Sequence, residues 1–162
     1  MKEYYKGELS IEEEYLNGKL NGKQKVYCTL NGKLRMENEY INGILLKRKK
    51  YNNDESFKFE IDYFYGWKKK GKAYIKGKLE YEGECIFGRK YNGKGYDENG
   101  NIIYELTNGN GKVKEYDEEE RLIFDGEYLN GRIFNGIFKK YRYDGIILEE
   151  VEFKNGKIIK LK

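Results

Sequence analysis

The sequence predicts an all-β protein, an elongated single-layer antiparallel β-meander of about seven two-stranded repeats. Three observations predict it. The phrase EYLNGKLNG at 14–22 returns as EYLNGRIFNG at 127–136. A glycine stands three positions after each of seven recurring anchor residues. Between the anchors, apolar and charged residues alternate with period two, the signature of a half-buried strand.

The repeat comes first because a fixed period marks an array. Units open near Tyr4, Tyr27, Tyr51, Tyr74, Tyr96, Tyr116 and Tyr141, about 23 residues apart. A second anchor recurs as Tyr15, Tyr40, Tyr63, Cys85, Leu106, Tyr128 and Phe153, followed by Gly18, Gly43, Gly66, Gly88, Gly109, Gly131 and Gly156. The array fills residues 1–162 as a single repeat domain. Asn-Gly at 17–18, 42–43, 130–131 and 155–156 fits type I′ hairpin turns, which need positive φ at both central residues. The other turn of the unit carries Gly7, Gly32, Gly77, Gly100 or Gly145. Two strands per unit give about thirteen or fourteen strands.

Within the strands, SFKFEIDY places Phe57, Phe59, Ile61 and Tyr63 inward and Lys58, Glu60 and Asp62 outward. KLEYEGEC places Leu79, Tyr81, Gly83 and Cys85 inward against Glu80, Glu82 and Glu84. ELSIEEEY sets Leu9, Ile11 and Tyr15 against Glu12 and Glu14. The next strand of each unit is basic, as at Lys23 and Lys25, Lys47 to Lys50, and Lys68 to Lys70. Opposite charges facing across a ladder contribute roughly 0.2–1 kcal/mol per pair. Alternating acidic and basic strands therefore fix register and leave the chain near neutral.

Composition supports this and narrows the chemistry. The 162 residues carry a net charge of +4, although more than a third are charged. Low apolar content is offset by seventeen Tyr, eight Phe and one Trp, each burying roughly 150–250 Å². No His is present to serve as a general base or metal ligand. Cys28 and Cys85 are too far apart for a metal-spaced pair. MKEYYKGELS lacks the apolar region of a signal peptide, and no run reaches the ~20 apolar residues of a membrane-spanning helix. The expectation is a reduced, cytoplasmic protein without catalytic residues, metal or cofactor.

The pattern Tyr-x-Asn-Gly-Lys…Asn-Gly at this period, and stretches such as YDENGNIIYELTNGNGKVKEYDEEERLIFDGEYLNG (96–131), resemble MORN repeats. They resemble more closely the bacterial MORN-repeat variant proteins of the YwqK antitoxin type. The resemblance covers essentially the whole chain. It implies an elongated single-layer sheet with aromatics lining one face, and a non-enzymatic role: protein association, lipid contact, or neutralising a partner toxin. Two units depart from the pattern: 51–73 lacks Asn-Gly at its second turn, and Glu119-Glu120 replaces the first turn of the sixth unit.

One departure invites a binding role. YFYGWKKKG (63–71) puts Phe64, Tyr65 and Trp67 around a turn, and IFGRKY (86–91) adds Phe87 and Arg89 one module later. Such rings are enriched at interface hot spots; the alternative is that they cover a thin sheet locally. KRKK (47–50) and KKK (68–70) suggest an anionic surface, but flanking carboxylates answer them and no motif for sequence-specific nucleic-acid readout exists. DENGN (97–101) lacks the closing Glu and glycine placement of a calcium loop and is a turn. Neither cysteine has a histidine to activate it. The expected function is a protein-interaction module, with an antitoxin that binds a cognate toxin, or a scaffold on an anionic membrane surface, as alternatives. Lysines at 157, 160 and 162 guard the last strand against edge-to-edge association, leaving a monomer or defined dimer.

Overall fold

A computed structural model describes residues 1–65 and 68–161. Fifteen strands occur among them: β1 (Lys2–Tyr5), β2 (Glu8–Leu16), β3 (Lys19–Tyr27), β4 (Leu34–Ile41), β5 (Ile44–Tyr51), β6 (Phe57–Tyr65), β7 (Lys68–Ile75), β8 (Lys78–Ile86), β9 (Arg89–Tyr96), β10 (Ile102–Leu106), β11 (Gly111–Tyr116), β12 (Leu122–Leu129), β13 (Arg132–Tyr141), β14 (Ile147–Lys154) and β15 (Lys157–Leu161). Strand order follows chain order, β1 to β10 in one sheet and β11 to β15 in a second. The chain is an all-β antiparallel meander, as the period and turns predict. It divides into two compact units, 1–79 and 80–162.

The turns follow the sequence chemistry. Asn17 and Gly18 adopt φ of 50° and 74°, the pair of positive angles a type I′ turn requires. An aspartate fixes the turn of the sixth unit, which lacks glycine, in the way Asp97 fixes the turn that contains Gly100. Asp117 Oδ1 accepts the N–H groups of Glu119 and Arg121 at 3.0 and 2.9 Å, which holds Glu120 at φ 63°.

A second device recurs that the turn residues alone do not announce. Asn21 Oδ1 accepts the backbone N–H of Asn42 at 3.1 Å, and Asn92, Asn110 and Asn135 accept those of Asn108, Asn130 and Asn155 at 2.6–2.9 Å. The first Asn-Gly of the repeated phrase makes the turn; the asparagine of the second holds the next turn in place.

In the unit 1–79 the acidic and basic strands pair in continuous rows. Glu12, Lys25, Glu37, Lys49, Glu60 and Lys72 are successive partners from β2 to β7. Lys23, Glu39, Lys47, Asp62 and Lys70 form a parallel row. Lys47 Nζ lies 2.6 Å from Glu60 and 3.8 Å from Asp62. The sign of each strand, legible in sequence, is the register of the sheet.

Strict alternation fails at β-bulges, each of which inserts one unpaired residue and re-aims the next. Register shifts precede the opening tyrosines Tyr27, Tyr51, Tyr116 and Tyr141, and the second anchors Tyr40, Cys85, Tyr128 and Phe153. The expected inward set of β6 is corrected accordingly. Lys58 is the extra residue of a bulge between Phe57 and Phe59, and the two rings part: Lys49 Nζ lies over Phe57 and Lys50 Nζ over Phe59. Phe57 lies between the rings of Tyr51 and Tyr74, at 5.2 and 5.8 Å and tilted 31° to each. The aromatics likewise do not all keep to one face: the hydroxyls of Tyr27 and Tyr51 donate to Glu12 and Glu37 of the charged rows, both at 2.8 Å.

The two units differ in how they bury side chains. Among the described residues of 1–79 only Asn38 is buried, so this sheet is a single layer with neither face closed. The apolar core lies in 80–162, in Tyr81, Tyr104, Leu106, Val113, Phe124, Tyr128 and Val151. Rings there lie down on glycines. The Tyr81 hydroxyl lies 3.0 and 3.1 Å from the carbonyl oxygens of Glu84 and Asn92, which share its one hydrogen, across Gly83 and Gly93. A Cβ on Gly126 would meet the Asn135 carbonyl at 2.1 Å and the Phe124 ring at 2.8 Å. Glycine in these strands makes room for an aromatic ring and for the neighbouring backbone.

Candidate interaction surfaces

Three surfaces follow from this architecture. The first is the face of β2 to β6 opposite the Glu/Lys rows. Ile11, Val26, Met36, Lys50 and Phe59 are successive partners across it. Beside them runs a polar row, Glu13, Gln24, Asn38 and Arg48, also in direct register. Gln24 Nε2 donates to Glu13 Oε1 at 2.5 Å, Asn38 Nδ2 to Gln24 Oε1 at 2.5 Å, and Arg48 Nε to Asn38 Oδ1 at 2.8 Å. Second-anchor tyrosines flank the row: Tyr15 Oη donates to Glu13 at 2.8 Å. The row begins in a carboxylate and ends in a guanidinium with two neutral amides between. Neither end has an oppositely charged side chain within 4.0 Å among the described residues.

The second is the pair of charged rows on the opposite face. Here charge is answered within the sheet. The hydrogen bond from Lys47 holds the Glu60 carboxyl below its ordinary range, and that from Lys2, helped by Tyr27, does the same for Glu12. These carboxylates are ladder members, as their spacing predicts.

The third site lies inside the unit 80–162. Glu80, placed outward by the alternation of KLEYEGEC, is instead buried. Lys90 Nζ lies 2.7 and 2.9 Å from its carboxylate oxygens and donates also to Tyr104 Oη at 2.9 Å and the Lys114 carbonyl at 2.6 Å. The rings of Tyr81, Tyr104 and Tyr116 surround the ammonium at 4.8–6.0 Å. Glu115 stands 4.0 Å away; burial pushes its carboxyl up, outweighing the nearby Lys90 charge. A lysine whose partners come from β8, β10 and β11 has no local sequence signal. This cluster links strands, and the three N–H groups of Lys90 all end on the protein itself, on the Glu80 carboxylate, Tyr104 and the Lys114 carbonyl.

The residues that the sequence singled out are distributed as follows. Phe64 is the unpaired residue of a bulge between Tyr63 and Tyr65 and is 55% exposed. Trp67 and the side chain of Tyr65 lie outside the described residues. Phe87 occupies the first positive-φ position of the β8–β9 turn and is 78% exposed, and Arg89 donates to the Gly131 carbonyl at 3.1 Å. Phe64 belongs to one compact unit and Phe87 and Arg89 to the other. Asp97 of DENGN accepts the backbone N–H groups of Asn99 and Asn101, both at 2.9 Å, so its carboxylate serves the turn. Cys28 and Cys85 are not joined in a disulfide, and both are half-buried.

The polar row was open to sequence reasoning. Glu13, Gln24, Asn38 and Arg48 are polar residues at positions whose parity belongs to the apolar face, a signal overlooked because each is unremarkable alone. No family model matches this chain, and no curated protein matches it. No helix is long and apolar enough to cross a membrane among the described residues.

Proposed function

We propose that this protein is a non-enzymatic protein-interaction module of MORN-like repeats, working in the cytoplasm, whose docking surface is the face of the unit 1–79 opposite the Glu/Lys rows. The observation that carries the reading is that this face has no second layer. Ile11, Val26, Met36 and Phe59 are only half-buried, and the sheet beneath is held by its own ladders and charge rows. Apolar side chains left half-exposed together on a stable sheet mark an interaction site. Phe64, Tyr65 and Trp67 at the β6–β7 end, and Phe87 and Arg89 in the second unit, are candidate further contacts. The absence of histidine from the sequence supports a non-enzymatic role.

Affinity capture with wild type and a folded Val26→Asp variant tests this. A stoichiometric partner bound by wild type and lost in the variant is the expected result. Capture that is unchanged in the variant overturns the assignment of the face. A captured partner that is lethal when expressed alone assigns the antitoxin role that the MORN-variant resemblance implies. Binding to anionic vesicles that fades with salt assigns the lipid role instead.

A further inference from the structure

We infer that the occupant of the open face is a second copy of this chain, packed face to face about a two-fold axis parallel to the strands between β3 and β4. The inference rests on the docking-face reading above and names its partner. It is carried by the order of charges in the polar row: acid on β2, amide on β3, amide on β4, base on β5.

Two sheets pack face to face with strands aligned to within about 30°. A two-fold axis relating them lies in the plane between the sheets and has two simple settings. Perpendicular to the strands, it sets Glu13 against Glu13 and Arg48 against Arg48. Parallel to the strands and midway along the row, it reverses the strand order of one sheet over the other. Glu13 then meets Arg48 of the second copy, Arg48 meets its Glu13, and the amides of Gln24 and Asn38 face each other. Each contact occurs twice, as an isologous interface requires. The same axis sets Val26 against Met36 of the second copy, and Ile11 against the aliphatic stem of its Lys50.

The ends of the row stand three strand spacings apart, about 14 Å, so neither can neutralise the other within one chain. The Glu13 carboxylate takes its hydrogen bonds from Gln24 and Tyr15, and Arg48 gives its Nε–H to Asn38. The terminal ammonium of Met1 bonds the Glu13 backbone carbonyl, not the carboxylate, so the partners of both charged groups are neutral. The charges are therefore held in fixed positions, by hydrogen bonds that leave the net charge of each end in place. An acidic peptide would answer Arg48 and oppose Glu13; a basic one would do the reverse. Only a partner carrying both signs at this separation answers both, and this chain carries them itself.

Sedimentation across a concentration series tests this with charge reversals. Wild type is expected to dimerise. Glu13→Arg places cations at both ends of the row and Arg48→Glu places anions at both; each should weaken self-association about a hundredfold or more, because like charges then face each other twice. The double variant reverses the row, the central amides flip to follow, and dimerisation returns. Mixing the two single variants should give a heterodimer, since every cation of one then meets an anion of the other. A variant that failed to fold could not associate on mixing, and Val26→Asp offers an independent break beside the axis.

A monomeric wild type overturns the inference. So does a dimer indifferent to the swaps, or a pair of single variants that do not associate when mixed. If wild type is monomeric yet loses a captured protein through Val26→Asp, the second copy is wrong and the docking face stands. If Val26→Asp changes neither dimer nor capture, both readings fail.

Discussion

Replacing Lys90 with methionine probes the core of the second unit. The side chains of Lys90 and Glu80 are only 9% and 7% exposed, so water does not answer the carboxylate when the ammonium is removed. Lys90→Met deletes the contacts to the Glu80 carboxylate, Tyr104 and the Lys114 carbonyl, and leaves Glu80 only the Tyr104 hydroxyl, 2.7 Å away. Removing one partner of a buried pair costs about 3–5 kcal/mol, mainly because the remaining charge is left uncompensated. Replacing both, as Glu80→Leu with Lys90→Met, removes that charge and should recover several kcal/mol of the loss. The assay is urea unfolding followed by far-ultraviolet circular dichroism at neutral pH, on wild type, both singles and the double. A coupling energy above about 2 kcal/mol is expected, since charged partners in contact are not additive. A Lys90→Met loss below about 1 kcal/mol, or a double variant as unstable as the sum of the singles, would refute the argument that burial of the pair governs its energetics.

Three further outcomes follow. Because burial raises the Glu115 carboxyl, the folded state holds that proton more tightly than the unfolded chain. Its contribution is therefore present below the ordinary value of 4.5 and lost as pH rises through the raised one. Glu115→Gln still accepts from Tyr128, so its urea midpoint should gain on wild type as pH rises from 4 to 8; a constant difference would sink this reading. Asn110→Ala removes the acceptor that holds the Asn130 turn together with the amide donor to the Thr107 and Asn108 carbonyls, and should cost about 1–2 kcal/mol in the same unfolding measurement; an unfolding midpoint equal to wild type would contradict this role. Gly126→Ala drives a Cβ into the Asn135 carbonyl and should destabilise by about 1–3 kcal/mol; a thermal midpoint equal to wild type would contradict the close approach.

The sequence by itself determined what depends on neighbours along the chain and on pairing between successive strands. Asn17-Gly18 made its turn because only certain residues accept two positive φ angles in succession. Glu37 and Lys25 found each other because a meander pairs each strand with the next, so charge sign is register. From these two rules the all-β class, the turn positions and the charged rows could be read directly. The tertiary structure decided what depends on breaks in alternation and on residues distant in the chain. A bulge at Lys58 sent Phe57 and Phe59 apart, and no period-two count anticipates one extra residue. Lys90 drew Glu80 inward across ten residues, and Tyr104 and Lys114 completed its shell from two other strands. The polar row lies between these cases. Its four members are visible in the sequence, but only the register lines them up with an acid at one end and a base at the other. Local backbone geometry is short-ranged and each residue type carries it; burial and charge compensation are collective, and they exist only once the sheet has brought distant residues together.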